Sequence, residues 1–302
     1  MIARACLAVL LLIAAIAGAA DATNEIQLPG ATIDLDYAGD STGLDRGEVR
    51  EWITASAHAV QSYYGRFPVK KLRIRIETSE GHGARSGTTF GYNGALIRVN
   101  VGRNSDNADL KRDWVMTHEM VHLAMPEMSD DQAWLEEGLA TYVEPVARAR
   151  VGQLTPAKIW HDMVSDMPKG LPGAGDRGLD NTHTWGRTYW GGAIFYLLAD
   201  VRIRERTDNR LGLQDALRAI VAGGGNVQVA WDVRRTLETG DKATGTKVLV
   251  ELYDEMRATP VVPDLTQLWQ RLGVKLTRDG AEFDDAAPLA AIRRAITAQS
   301  AG

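Results

Sequence analysis

The chain has 302 residues, of which 45% are hydrophobic and 24% charged, with a formal net charge of -5 and a pI near 5.7. That is enough apolar material for a sizeable core or for two subdomains sharing a cleft, and it excludes a disordered chain. No basic stripe of the kind that holds a phosphate backbone is present, so no nucleic-acid partner is expected.

Residues 1–22 begin with one arginine, Arg4, continue as an apolar run over 5–16, and end in small residues around Ala19, Ala20 and Ala22. This is the order of a secretory signal peptide cleaved near Ala20. The run is shorter than the roughly twenty residues that span a bilayer, so an exported protein is expected, periplasmic or secreted and bacterial, with no stable membrane anchor after cleavage. The sole cysteine, Cys6, lies inside this segment, which leaves the mature chain without a thiol for a disulfide or a thiolate zinc site.

Residues 26–37 alternate loosely and predict a strand or extended arm. A helix opens at Asp45 and stops at Gly65, with Val49, Trp52, Ile53, Ala57, Val60, Tyr63 and Tyr64 on one face and His58 as a packed or surface residue. Residues 71–78 set Leu72, Ile74 and Ile76 against charges on the other side, a half-exposed strand. A glycine-rich loop is predicted over 81–87, then two strands, 88–92 and 95–101, joined by an Asn93-Gly94 hairpin turn. Asp109, or a polar residue from Asn104 onward, is expected to cap one helix that carries Trp114, His118 and His122 and stops at Pro126.

A second helix is predicted over 133–149, interrupted at Pro145, with Leu135, Leu139 and Tyr142 toward the core and Glu144 solvated or beside the site. The Pro-, Gly- and Asp-rich stretch 155–181 reads as a partly helical surface excursion. Helical periodicity follows over 190–206, 213–221, 227–237, 247–256, 265–272 and 289–298, with a hairpin over 274–283 across Asp279-Gly280. There is no internal repeat and no coiled-coil heptad.

The chemistry concentrates in Thr117-His118-Glu119-Met120-Val121-His122, with Trp134-Leu135-Glu136-Glu137-Gly138-Leu139-Ala140 following. On a helix His118 and His122 share a face and can offer both imidazoles to one zinc ion, while Glu119 is turned aside and suits a general base. A catalytic zinc keeps one position for water and takes three protein ligands, so a third donor must come from another element, and Glu137 is the candidate. The scheme with a glycine turn and a third histidine is excluded, because Met125 and Met128 occupy those places.

These two runs resemble the gluzincin metallopeptidases, whose second helix typically reads Trp-Leu-x-Glu-Gly-Phe-Ala. The resemblance selects Glu137 over Glu136 as the third ligand. Thr188-Tyr189-Trp190-Gly191-Gly192-Ala193 and the stretch 197–207 are similar to the glycyl aminopeptidase family of peptidases, M61, and the likeness covers roughly residues 50–222. It implies an α+β, thermolysin-like zincin fold, with an N-terminal mixed sheet plus zinc helices and a helical C-terminal subdomain. It also implies that Tyr189, matching a Tyr-x-x-Gly-Ala helix start, donates to the oxyanion, a role for which His183 and Arg187 are the alternatives. The Gly-x-Met-Glu-Asn segment of the gluzincin aminopeptidases is absent between Gly87 and Asn104, so the choice between trimming ends and cutting internally stays open.

The expected organisation is a signal peptide (1–22), an α/β lobe with the zinc helices (23–150), an excursion at the mouth of the cleft (151–181) and a mainly helical lobe (182–302). The expected function is zinc-dependent hydrolysis of a peptide or protein substrate. The other readings are a catalytically silent peptide-binding or assembly factor of the cell envelope, and a hydrolase acting on something other than protein, such as a cell-wall amide or a small peptide. The oligomeric state is open.

Overall fold

A computed structural model describes residues 24–39, 43–278 and 280–299. The expected signal peptide and Asp279 of the C-terminal turn lie outside the described residues. Alternating side chains build the first layer. Strands β1 (Glu25–Leu28), β2 (Ala31–Tyr37), β3 (Lys71–Ser79), β4 (Ala84–Phe90) and β5 (Ala95–Gly102) form a mixed sheet in the order β1-β2-β3-β5-β4. The three central strands are parallel, and β1 and β4 are antiparallel edges.

Every second residue of the central strands turns inward, so Ile33, Leu35, Leu72, Ile74, Ile76, Ile97 and Val99 are buried while Lys71, Arg73, Arg75 and Arg98 stand on the opposite face. The stretch expected as one strand over 26–37 is a hairpin, because Gly30 at φ 80° lets the chain reverse between β1 and β2. β4 starts at Ala84, inside the expected loop, since pairing with β5 overrides a loop-like composition. Asn93 and Gly94, both at positive φ, make the expected turn into β5.

Helix α1 (Arg46–Tyr64) is capped by the Asp45 carboxylate and buries all seven residues of its expected apolar face, with His58 exposed. The single helix expected to carry both histidines is two, α2 (Asn107–Arg112) and α3 (Val115–His122). Asp113 separates them: its carboxylate accepts from the N–H of Val115 and of Met116, each at 3.0 Å, and from the Trp52 indole at 2.9 Å. Helix α4 (Ala133–Arg150) runs through Pro145 without a break. Glu144 is buried rather than solvated, 2.8 Å from Arg148, and burial pushes its carboxyl up to about 7 despite that guanidinium.

Thr155 caps α5 (Pro156–Asp166), after which short 3-10 turns at Met167–Gly170 and Leu179–Asn181 lead to the helical lobe. Its elements are α6 (Gly192–Arg206), α7 (Leu213–Ala222), α8 (Val233–Thr244), α9 (Val248–Met256), α10 (Leu265–Leu272), the hairpin of β6 (Val274–Thr277) and β7 (Gly280–Phe283), and α11 (Ala290–Ile296). Asp200 is 1% exposed and ties α4, α6 and α7 together, accepting from the Tyr142 hydroxyl (2.9 Å), Arg204 Nε (2.7 Å) and the Leu213 N–H (3.0 Å).

The helix expected over 227–237 begins only at Val233, where Asp232 caps it. The residues before it run alongside the end of α3 instead, with the Val227 N–H on the Leu123 carbonyl and the Glu127 N–H on the Val229 carbonyl. The architecture is mixed α+β with a helical C-terminal part, as the sequence predicts. Among the described residues no helix is long and apolar enough to cross a membrane.

Candidate metal centre

Helix α3 is short, and Asp113 supplies at its start the acceptors that its first N–H groups lack. One turn apart on it, His118 and His122 bring their rings to 4.9 Å between centroids. Helix α4 carries Glu137 to the same point. Glu137 Oε2 is 3.2 Å from His118 Nε2 and 3.6 Å from His122 Nε2, and the three donor atoms all lie within 4.8 Å of one another.

The donor set fits zinc. Tetrahedral bonds of about 2.05 Å set ligand atoms roughly 3.3 Å apart, and the two separations to Glu137 straddle that value. Glu136 is directed elsewhere, its Oε1 accepting from the Met128 N–H at 2.9 Å.

Burial works against charge on Glu137, but the hydrogen bond with His118 and the His122 imidazole close by outweigh it and hold its carboxyl well below the usual carboxylate range. Burial lowers His118, which favours the neutral ring a metal needs. At His122 burial also lowers, yet the Glu137 carboxylate 3.6 Å away and the other carboxylates nearby prevail and raise it. A metal competes with a proton more at His122 than at His118.

Glu119 is 7% exposed and lies against the β4 edge. The Thr89 hydroxyl is 2.7 Å from Glu119 Oε2 and 2.9 Å from the Glu119 carbonyl oxygen, and can donate to either. A Cβ on Gly87 would stand 2.4 Å from Glu119 Cγ, so the carboxylate occupies space that only glycine leaves. Sequence reasoning missed both residues. The one available signal was a glycine between strand-like residues, which marks a close approach by another group.

Tyr189 belongs to a π-helical turn, Arg187–Gly191, just before α6. Its ring stacks on His118 at 6.3 Å and 17°, and it lines the cleft together with the Glu137 carboxylate. Burial, reinforced by that carboxylate, pushes the hydroxyl up to about 12, so it stays a donor at neutral pH. The alternatives for its role stand apart from His118, His122 and Glu137. Arg187 is buried and reaches Asp176 at 2.7 Å and the Gly170 carbonyl at 2.5 Å, which pins the π turn. His183 is exposed, 3.7 Å from Asp131.

These groups face a cleft of about 670 Å³ between the β4 edge, α3 and Tyr189. The excursion over 151–181, expected at its mouth, contributes no lining residue. Packing accounts for the difference: Met163 and Met167 are buried, and Gly170 and Asp176 support the π turn from behind.

Neither a known family profile nor a curated protein matches the chain. Solved structures do. The aminopeptidase N family protein from Idiomarina loihiensis aligns with a TM-score of 0.60 at 13% identity, covering 87% of this chain and 52% of that one. The M1 zinc metallopeptidase from Deinococcus radiodurans gives 0.50 at 18%, covering 80% and 52%. A mutant of a two-domain M1 zinc metallopeptidase bound to L-arginine gives 0.51 at 18%, covering 79% and 51%. The chain has the fold of these zinc metallopeptidases and spans about half their length.

Proposed function

We propose that the chain is a zinc-dependent peptidase of the gluzincin type, with a thermolysin-like cleft and with His118, His122 and Glu137 as the metal ligands. The observation that carries this reading is the convergence of three suitable donor atoms within 4.8 Å, with the Glu119 carboxylate held beside them. Bound there, zinc supplies a Lewis acid that brings the pKa of water toward neutrality and polarises the scissile carbonyl. Glu119, steadied by Thr89, takes the proton of the attacking water and returns it to the leaving amine. Tyr189 donates to the developing oxyanion. The substrate is a peptide or protein whose extended backbone pairs with the unpaired edge of β4.

A silent peptide-binding factor with the same fold is the competing reading. Glu119 favours the enzyme, since a cleft that only holds a peptide has no use for a buried carboxylate steered by a hydroxyl.

Elemental analysis of the wild type and of His122→Ala, together with a panel of peptides, tests the proposal. About one zinc per chain is expected, lost in the variant along with hydrolysis. A wild type that cannot be loaded with zinc overturns it, and a loaded wild type that cuts no peptide moves the reading to the binding factor.

Gly87→Ala probes the base separately. The new methyl must push the Glu119 carboxylate off its position, and a displacement near 1 Å is worth about a hundredfold in turnover. Metal content should stay at the wild-type level while kcat falls by that order in steady-state assays.

A further inference from the structure

The catalytic cleft continues past Thr89. Phe90 and Tyr92 line it and also line a second groove of about 590 Å³ at the foot of β3 and β5. Three cations, Lys70, Lys71 and Arg73, line this groove, and all are exposed. Lys71 shares its charge with Asp34 at 3.1 Å, whereas Lys70 and Arg73 have no ion-pair partner among the described residues.

In a chain of net charge -5, cations left uncompensated where a groove opens into a reactive cleft attract anions to that end. The other flank of the cleft is acidic, carrying Glu127, Asp130 and Glu136. The passage is therefore polarised along its length.

Register gives the scale. Arg73 is level with Leu96 on β5, and Leu96 is level with Phe90 on β4. With strands roughly 4.8 Å apart, Arg73 stands about 10 Å in from Phe90, which itself follows the Thr89 that holds Glu119. Tyr92, 73% exposed, sits at the junction of the two grooves and offers an apolar ring to whatever crosses it.

We propose that this groove binds an acidic segment of the peptide substrate, with Asp or Glu side chains meeting Lys70 and Arg73 about three to five residues from the scissile bond, at roughly 3.3 Å per extended residue. The substrate class is thereby a peptide or protein with carboxylates on one side of the cut. This inference rests on the peptidase reading of the cleft.

Zinc-loaded Glu119→Gln protein, which holds substrate without turning it over, is titrated with labelled peptides that differ only in a block of Glu, Gln or Lys on one side of the central bond. The Glu peptide should bind about tenfold more tightly than the Gln peptide at low salt, as a few exposed ion pairs allow, and the Lys peptide most weakly. Salt near the physiological range should narrow the gap, and Lys70→Glu/Arg73→Glu should abolish or invert it. Equal affinities for the Glu and Gln peptides, or a preference that survives the charge reversal, overturns the inference. So does a double variant whose sole change is the dissociation of a dimer, because a second copy then covers the groove. Hydrolysis by the wild type is read separately. Charge-selective binding without cleavage sinks the peptidase reading and keeps the groove, and cleavage without charge selectivity does the reverse.

Discussion

Glu119→Gln is expected to fold normally, to keep one zinc per chain and to lose hydrolysis by about three to four orders of magnitude, at the upper end of what a positioned proton acceptor contributes. The amide is isosteric with the carboxylate, fits the same buried space against Gly87, and can still accept from the Thr89 hydroxyl at the oxygen it keeps. It cannot take a proton from water at neutral pH. None of the three metal donors is altered, so binding and catalysis should separate: KM close to the wild type, kcat collapsed. Steady-state kinetics on whichever peptide the wild type cuts fastest, with metal analysis of the same samples, reads both. Wild-type turnover removes Glu119 from the mechanism. Lost zinc makes the residue a structural support of α3 instead.

The parts of this site differ in how far they can be read without coordinates, and the difference follows sequence distance. His118 and His122 are legible because a spacing of four on one helix is a local property, independent of what surrounds it. Glu137 needs two helices to cross. The residues nominate a carboxylate on the following helix, but preferring it to its neighbour Glu136 takes the gluzincin resemblance. The structure supplies the physical counterpart, since adjacent residues on a helix point about 100° apart, and Glu136 is drawn to the Met128 N–H.

Thr89 and Gly87 lie thirty or more residues from Glu119 and act on it through the sheet edge, which no local pattern encodes. The fold shows the same division. The face of α1 and the alternation of β3 follow from periodicity, whereas the break at Asp113 depends on a carboxylate also held by Trp52, sixty-one residues away. Glu144 is misread for the same reason, because Arg148 and the packing around it close over a position that charge alone assigns to solvent. The helix expected over 227–237 fails at its start because residues 227–229 bond to the chain leaving α3, a pairing invisible to helical periodicity.

Gly138→Ala should have the largest structural effect. Helices α4 and α6 cross where Gly138 meets Gly192: a Cβ on Gly138 would lie 2.3 Å from the Gly192 Cα, and one on Gly192 would lie 2.1 Å from the Trp134 carbonyl oxygen. These obstacles are backbone, so no side-chain rotation relieves them, and the helices must separate. Overpacking of this kind costs about 3 kcal/mol, which lowers the midpoint of thermal unfolding by several degrees in a chain of this size.

The second consequence is specific to the site. Glu137 precedes Gly138 on α4, and Tyr189 lies in the turn that leads into Gly192, so a wider crossing displaces the proposed metal ligand Glu137. Zinc affinity, measured by competition with a chelator, should therefore fall together with stability. Val143→Ala provides the control. It leaves a cavity on the same helix at a fully buried position and costs about 2 kcal/mol, without inserting an atom between Gly138 and Gly192. If Gly138→Ala loses stability but binds zinc as tightly as Val143→Ala does, the close approach of α4 and α6 serves packing alone, and Glu137 is positioned by the two histidines rather than by the helix that carries it.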